Sequence, residues 1–117
     1  AAIIARRIHL SDVRYQALSD AINNLIDQMN KEQLWSTQEP DESAFKSTQP
    51  FCLDTLTFEQ WLQFVMVPTF LGMIQKQQTL PKQCDIEPMA QQIWQQQYLS
   101  VQACIKAIDE VISTGKA

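Results

Sequence analysis

The sequence predicts an all-α protein, a four-helix bundle, broadly antiparallel, with a long ordered loop between helices 1 and 2. Three observations carry that expectation. Only two glycines, Gly72 and Gly115, occur in 117 residues. Glutamine, leucine and alanine are plentiful, all good helix formers, and the alternation of apolar and polar residues that a half-buried strand needs is nearly absent. Apolar residues recur instead at steps of three and four in separate stretches, the spacing of one helix face.

The first stretch runs from about Asp12 to Trp35, with Ser11 as its expected N-cap and Asp12 well placed against the helix dipole. Val13, Leu18, Ile22, Leu25, Ile26 and Met29 form its apolar stripe, while Arg14, Asp20, Asn24, Asp27 and Lys31 fall mostly on the other face. A helix of that length spans about 36 Å.

From Ser36 to Leu56 the helical signal stops. Pro40 and Pro50 hold the residues before them extended, and Glu39-Pro40-Asp41-Glu42-Ser43 is turn chemistry. Structureless connections of about twenty residues are uncommon in compact domains. Phe45, Phe51, Leu53 and Leu56 are apolar anchors in this one, so its second half is expected to dock on the bundle and its first half to be mobile.

The second helix starts with a capping box, Thr57 and Gln60, with Glu59 in the first turn. Trp61, Leu62, Phe64, Val65 and Met66 make it apolar nearly all round. Pro68 then interrupts it, and a kink near Phe64–Pro68 is expected. A loop from Thr79 leads to Pro88, which suits the first turn of a third helix. That helix carries Met89, Ile93 and Trp94 on one side and Gln91, Gln92, Gln95, Gln96 and Gln97 on the other. Ser100 is the expected cap of a fourth helix, striped by Val101, Cys104, Ile105, Ile108, Val111 and Ile112 and stopped by Gly115.

Composition narrows the function classes. The chain reads as one domain over residues 1–117, with residues 1–11 as an N-terminal tail, and its length suffices to bury roughly two-thirds of the unfolded surface. A net charge of -4 and a pI near 4.8 argue against direct binding to nucleic-acid backbones. Cys52, Cys84 and Cys104 are odd in number and far apart, which suits a reducing cytoplasm, and no apolar run is long enough to cross a bilayer. Cys104 reads as an inert core thiol, whereas Cys52 and Cys84 lie in loops. One histidine, His9, and three dispersed cysteines supply no metal-ligand spacing, and no cofactor is expected. No glycine-rich phosphate loop is possible.

The ordered set Trp35, Glu39-Pro40, Ser47-Thr48-Gln49-Pro50-Phe51, Asp54-Thr55, Trp61-Leu62-Gln63, Pro68 and Leu80-Pro81 resembles the YqcC-like family of small bacterial proteins. The resemblance implies a four-helix bundle of unknown function, often described beside a tRNA pseudouridine synthase. It is strongest from Ser47 to Pro81.

Within that region Trp35, Ser47, Thr48, Gln49, Pro50, Phe51, Asp54, Trp61 and Gln63 are the candidate interaction or pocket residues. Asp54 reads either as a polar anchor at the mouth of a pocket walled by Trp35, Phe51 and Trp61, or as a turn residue launching helix 2. Ser47, Gln49 and Gln63 read either as site residues or as partners for loop backbone groups. Asp54, Tyr98 and Glu59 could do acid–base work, but nothing pairs them. The expected function is a cytoplasmic, non-catalytic protein-interaction module, its partner an RNA-modifying enzyme of the kind the resemblance implies. The alternative is a small-ligand-binding bundle with a pocket between the 47–54 loop and helices 1 and 2.

Overall fold

A computed structural model describes residues 10–114, and its regular elements are all helical. Helix α1 (Leu10–Lys31) is followed by a long connection containing two short 3-10 turns, Glu42–Lys46 and Pro50–Cys52. Helix α2 (Phe58–Trp61), a π-helical turn (Leu62–Met66) and helix α3 (Val67–Gln75) run on as one rod. Helices α4 (Glu87–Trp94) and α5 (Leu99–Thr114) complete a bundle of four rods. His9 and Gly115 lie outside the described residues, as do most of the expected tail and the expected C-terminal stop.

Helix is already formed at Leu10, so Ser11, the expected N-cap, lies within α1. The helix also ends earlier than Trp35. Gln33 turns left-handed (φ 61°), its N–H donates to the Asn30 carbonyl, and Leu34 N–H reaches back to Met29. That double closure satisfies carbonyls the helix end would otherwise leave open. The stripe is largely as expected, with Leu18, Ala21, Ile22, Leu25 and Met29 buried, but Val13 is 54% exposed.

The capping box at Thr57 forms in both directions, Gln60 N–H to Thr57 Oγ1 at 3.2 Å and Thr57 N–H to Gln60 Oε1 at 2.9 Å. The expected kink at Pro68 is resolved as a π turn. Val67 N–H bonds Leu62 five residues back. One extra residue in the turn gives the proline ring room without ending the rod. Thr69 Oγ1 donates to the Val65 carbonyl at 2.6 Å in the same stretch.

Helix α5 is the spine. Val101, Ile105, Ile108 and Ile112 are fully buried, and the largest helix–helix contact is α1 against α5, with α4 packed on α5 as well. Arg14 near the start of α1 bonds Ile112 near the end of α5, which fixes the pair as antiparallel. Ser100 lies inside α5, so it is not the cap. Of the three buried polar residues among the described residues, two sit on α5, and each ties down a loop. Gln102 Nε2 donates to the carbonyls of Gln95 and Gln97, holding the α4–α5 turn at 2.9 and 2.8 Å. The Asp109 carboxylate accepts from Ile86 N–H and Glu87 N–H at 2.8–3.0 Å. Ile86 has no capping side chain, so Asp109 supplies the anion that the start of α4 lacks.

Ser113 Oγ accepts from Cys84 N–H at 3.0 Å, next to the same loop. Cys84 is buried although its loop position suggested exposure. Burial and the neighbouring Asp109 push its thiol far above the usual range. Cys104, on the α5 stripe, is only half-buried.

Candidate functional site

The connection from α1 to α2 is laced with side-chain hydrogen bonds, to backbone and to other side chains, including in the first half expected to be mobile. Ser36 donates and accepts through Gln63, Ser43 Oγ bonds Asp41 at 2.7 Å, and Thr55 Oγ1 bonds the Ala44 carbonyl at 2.6 Å. Ser47 is the pivot of the family-like motif. Its hydroxyl donates to Asp54 Oδ1 at 2.5 Å and accepts from Gln49 N–H at 3.0 Å. Both Asp54 and Ser47 therefore brace one chain reversal, a structural task that the sequence left open.

The reversal is tight. Phe51 and Cys52 are both left-handed, at φ 57° and 51°. Left-handed backbone costs a residue bearing a Cβ about 1–2 kcal/mol, and for a bulky aromatic it is a genuine outlier. The Phe51 ring offsets that cost by packing edge-on to Trp61 at 4.8 Å and to Phe58 at 6.0 Å. Aromatic pairs of this kind contribute about 0.5–1.5 kcal/mol each beyond burial. The ring chain continues from Phe58 to Trp94 (5.1 Å) and from Trp94 to Tyr98 (5.4 Å), linking the loop to α4 and to the turn before α5.

Two of the three residues expected to wall a pocket, Phe51 and Trp61, pack edge-on to each other in this chain of rings. Trp35 packs half-buried against the core, as do Phe51 and Trp61. A concavity lies at the turn itself. It is an open groove of about 460 Å³ lined by Gln49, Pro50, Leu53, Asp54 and Met89, between the reversal and α4. Leu53 on its wall is 41% exposed, and Ile93, one turn beyond Met89 on α4, is 40% exposed. Of the nine candidate residues, three (Gln49, Pro50, Asp54) line this groove. Ser47 and Phe51 hold its shape from behind, Trp61 backs Phe51, Gln63 anchors the upstream loop, and Thr48 is exposed beside it.

Leu53 and Met89 were not among the candidates. Their signal was weak: a single apolar residue in a loop and one on the α4 stripe, brought together only by the tertiary fold. Among the described residues no group of three or more His, Cys, Asp or Glu side chains is placed to hold a metal, and no helix is long and apolar enough to cross a membrane.

The family model described as "DUF446: tRNA pseudouridine synthase C" matches residues 17–111, most of the chain. The chain belongs to this DUF446 family. An uncharacterized protein of Haemophilus influenzae is 37% identical over 60 residues that make up 51% of this chain and 57% of that one. The uncharacterized protein YqcC of Escherichia coli is 35% identical over 60 residues, 51% of this chain and 55% of YqcC. The chain thus spans a little over half the length of these curated relatives. The tRNA pseudouridine synthase C of Pectobacterium carotovorum is 42% identical over 48 residues, 41% of this chain but 13% of that protein. The enzyme name therefore belongs to a protein of which this chain matches a small part.

The solution NMR structure of E. coli YqcC superposes with a TM-score of 0.74 at 24% identity, covering 94% of this chain and 93% of that one. It shares the DUF446 fold found here, and the YqcC-like resemblance read from the ordered motifs holds.

Proposed function

We propose that this protein is a non-catalytic interaction module that docks a segment of an RNA-modifying enzyme, and that the groove between the Pro50–Cys52 turn and α4 is its docking surface. The observation that carries the proposal is the pairing of an open apolar groove with a rigid wall. Leu53, Pro50 and Met89 present apolar surface to solvent, while the two left-handed residues behind them are clamped by the Ser47–Asp54 bond and the aromatic chain. Backbone strain of this kind persists where surrounding structure over-determines it, and it concentrates at functional sites. A preformed wall also lowers the ordering cost of binding.

Charge suggests the partner. Asp54 lines the groove, and Glu39, Asp41 and Glu42 lie exposed in the same connection of a chain whose net charge is -4. That field favours a basic segment carrying an apolar anchor, and proteins that handle RNA are rich in basic segments. The family description and one relative's name, tRNA pseudouridine synthase C, point to the enzyme to try first.

The test is calorimetric titration of the purified synthase from the same bacterium with the wild-type chain, Leu53→Asp and Met89→Asp. Leu53 is exposed, so its variant should keep the wild-type melting temperature. Binding that weakens by about tenfold or more in each variant, ~1.4 kcal/mol, supports the groove. No heat of binding with the wild-type chain at tens of micromolar would sink the proposal.

A further inference from the structure

A second concavity lies at the far end of α1 from the Ser36–Gln63 clamp. It encloses about 270 Å³ and is lined by Arg14, Tyr15, Gln77, Thr79 and Leu80, where the start of α1 meets the loop leaving α3. The sequence placed Arg14 on the solvent face of its helix. The structure instead turns the guanidinium inward, where Nη2 donates to the Ile112 carbonyl at 2.8 Å. Its Nε is buried and has no hydrogen-bond partner among the described residues.

An orphaned buried donor is rare enough in folded proteins to require an explanation. Here the donor belongs to a permanent cation whose described bond goes to a carbonyl and not to a carboxylate. Two of the pocket's other polar residues are also uncommitted. Gln77 and Thr79 make no side-chain hydrogen bond among the described residues. Tyr15 spends its hydroxyl proton on the Gln78 carbonyl at 2.6 Å, leaving its oxygen able only to accept. Lys76 and Lys82 flank the lining residues in sequence and add positive charge to this end of an otherwise acidic chain.

We propose that this pocket binds a small molecule bearing an oxyanion, either a carboxylate or a phosphate monoester. Arg14 Nε–H donates to the oxyanion, and Gln77 and Thr79 donate to the same group or to its neutral body. The guanidinium fork matches the geometry of carboxylate and phosphate, and charge-assisted bonds of this type are the strong ones. The Ile112 bond fixes the rotamer of the arginine before the ligand arrives, so little ordering remains to be done on binding.

The test is NMR titration of ¹⁵N-labelled full chain with inorganic phosphate and, separately, with succinate, following the Arg14 Nε–H and the Gln77 and Thr79 amides. Saturable shifts at these three positions with either probe support the proposal, and the probe that binds more tightly identifies the chemical source. Arg14→Lys keeps the charge but loses the Nε–H fork, and it should weaken binding by about tenfold. Gln77→Gly suits the left-handed backbone there (φ 54°) while removing the amide, so it should weaken binding without loosening the fold. No shift with either probe overturns the proposal. So do equal affinities in Arg14→Lys, or shifts spread over the surface lysines, which report diffuse charge attraction only.

Discussion

The side-chain amide of Gln63 holds both backbone groups of Ser36: Ser36 N–H donates to Oε1 at 2.8 Å, and Nε2 donates to the Ser36 carbonyl at 2.8 Å. Gln63 belongs to the π turn, which displaces its successors by one residue and leaves it 7% exposed, facing the end of α1. The glutamine therefore acts as one rung of a ladder between a helix and a loop without a second strand. Substitution by leucine keeps the volume but leaves two partly buried backbone groups unpaired. The expected loss is about 2–3 kcal/mol in urea unfolding, with faster hydrogen exchange at Ser36. An unchanged midpoint would show that water replaces the amide at no cost.

Glycine and glutamine stand in positions that backbone physics would exchange. Gly72 lies in the middle of α3, and a Cβ there meets nothing within 4 Å. Gly72→Ala should stabilise the protein by about 0.5–1 kcal/mol by removing unfolded-state freedom. Gln33 (φ 61°) and Gln95 (φ 55°, ψ -112°) occupy helix ends where glycine is the natural residue. Gln33→Gly should gain about 1 kcal/mol and Gln95→Gly at least as much, because the Gln95 backbone lies in a region nearly exclusive to glycine. Thermal melts of the three single variants, each rising above wild type, are the expected result.

Much of this fold was legible because the features that specify it are local. Stripes at steps of three and four located all four rods, Thr57 and Gln60 marked a helix start to the residue, and Pro68 announced irregularity in the second rod. The misses share a physical cause. Gln63, Gln102 and Asp109 are polar residues at helical spacing, and sequence alone does not separate a buried clamp from a solvated face. Arg14 was placed outside for the same reason. The left-handed glutamines escaped because the αL signal usually carried by glycine was absent. The motif Ser47-Thr48-Gln49-Pro50-Phe51 stood out in the sequence, but its chemistry points inward to bracing, and the groove beside it opens toward α4, a contact more than thirty residues away in sequence.

Thiol chemistry should sort the three cysteines. Burial, reinforced by Asp109, raises the Cys84 thiol, and burial raises Cys104 to a lesser degree of protection, since it is only half-buried. The thiolate is the reactive species. Iodoacetamide at pH 8 should therefore leave Cys84 unmodified in the folded protein and modify all three residues in denaturant, as read by peptide mass spectrometry. Rapid Cys84 alkylation in the native state would mean that the loop before α4 opens readily.

Asp109 gives the protein a pH dependence whose sign runs opposite to that of a salt-bridged carboxylate. Burial holds its carboxyl above the ordinary value of 3.8, although the Glu87 and Ile86 amides and the Cys84 thiol pull the other way. The folded state thus keeps this proton more tightly than the unfolded chain does. Its contribution to stability is complete below the ordinary carboxylate range and is lost as pH rises through the shifted value. Asp109→Asn removes the charge that burial penalises and keeps one acceptor oxygen for the start of α4. Relative to wild type, its melting temperature should therefore improve as pH is raised from acid toward neutrality. Asp109→Ala separates this titration from the hydrogen bonds themselves. It leaves the Ile86 and Glu87 amides unpaired and should cost about 2–3 kcal/mol across the whole range. A difference between wild type and Asp109→Asn that stays flat as pH rises from acid to neutral would show that the N–H donors fully offset the burial of the charge.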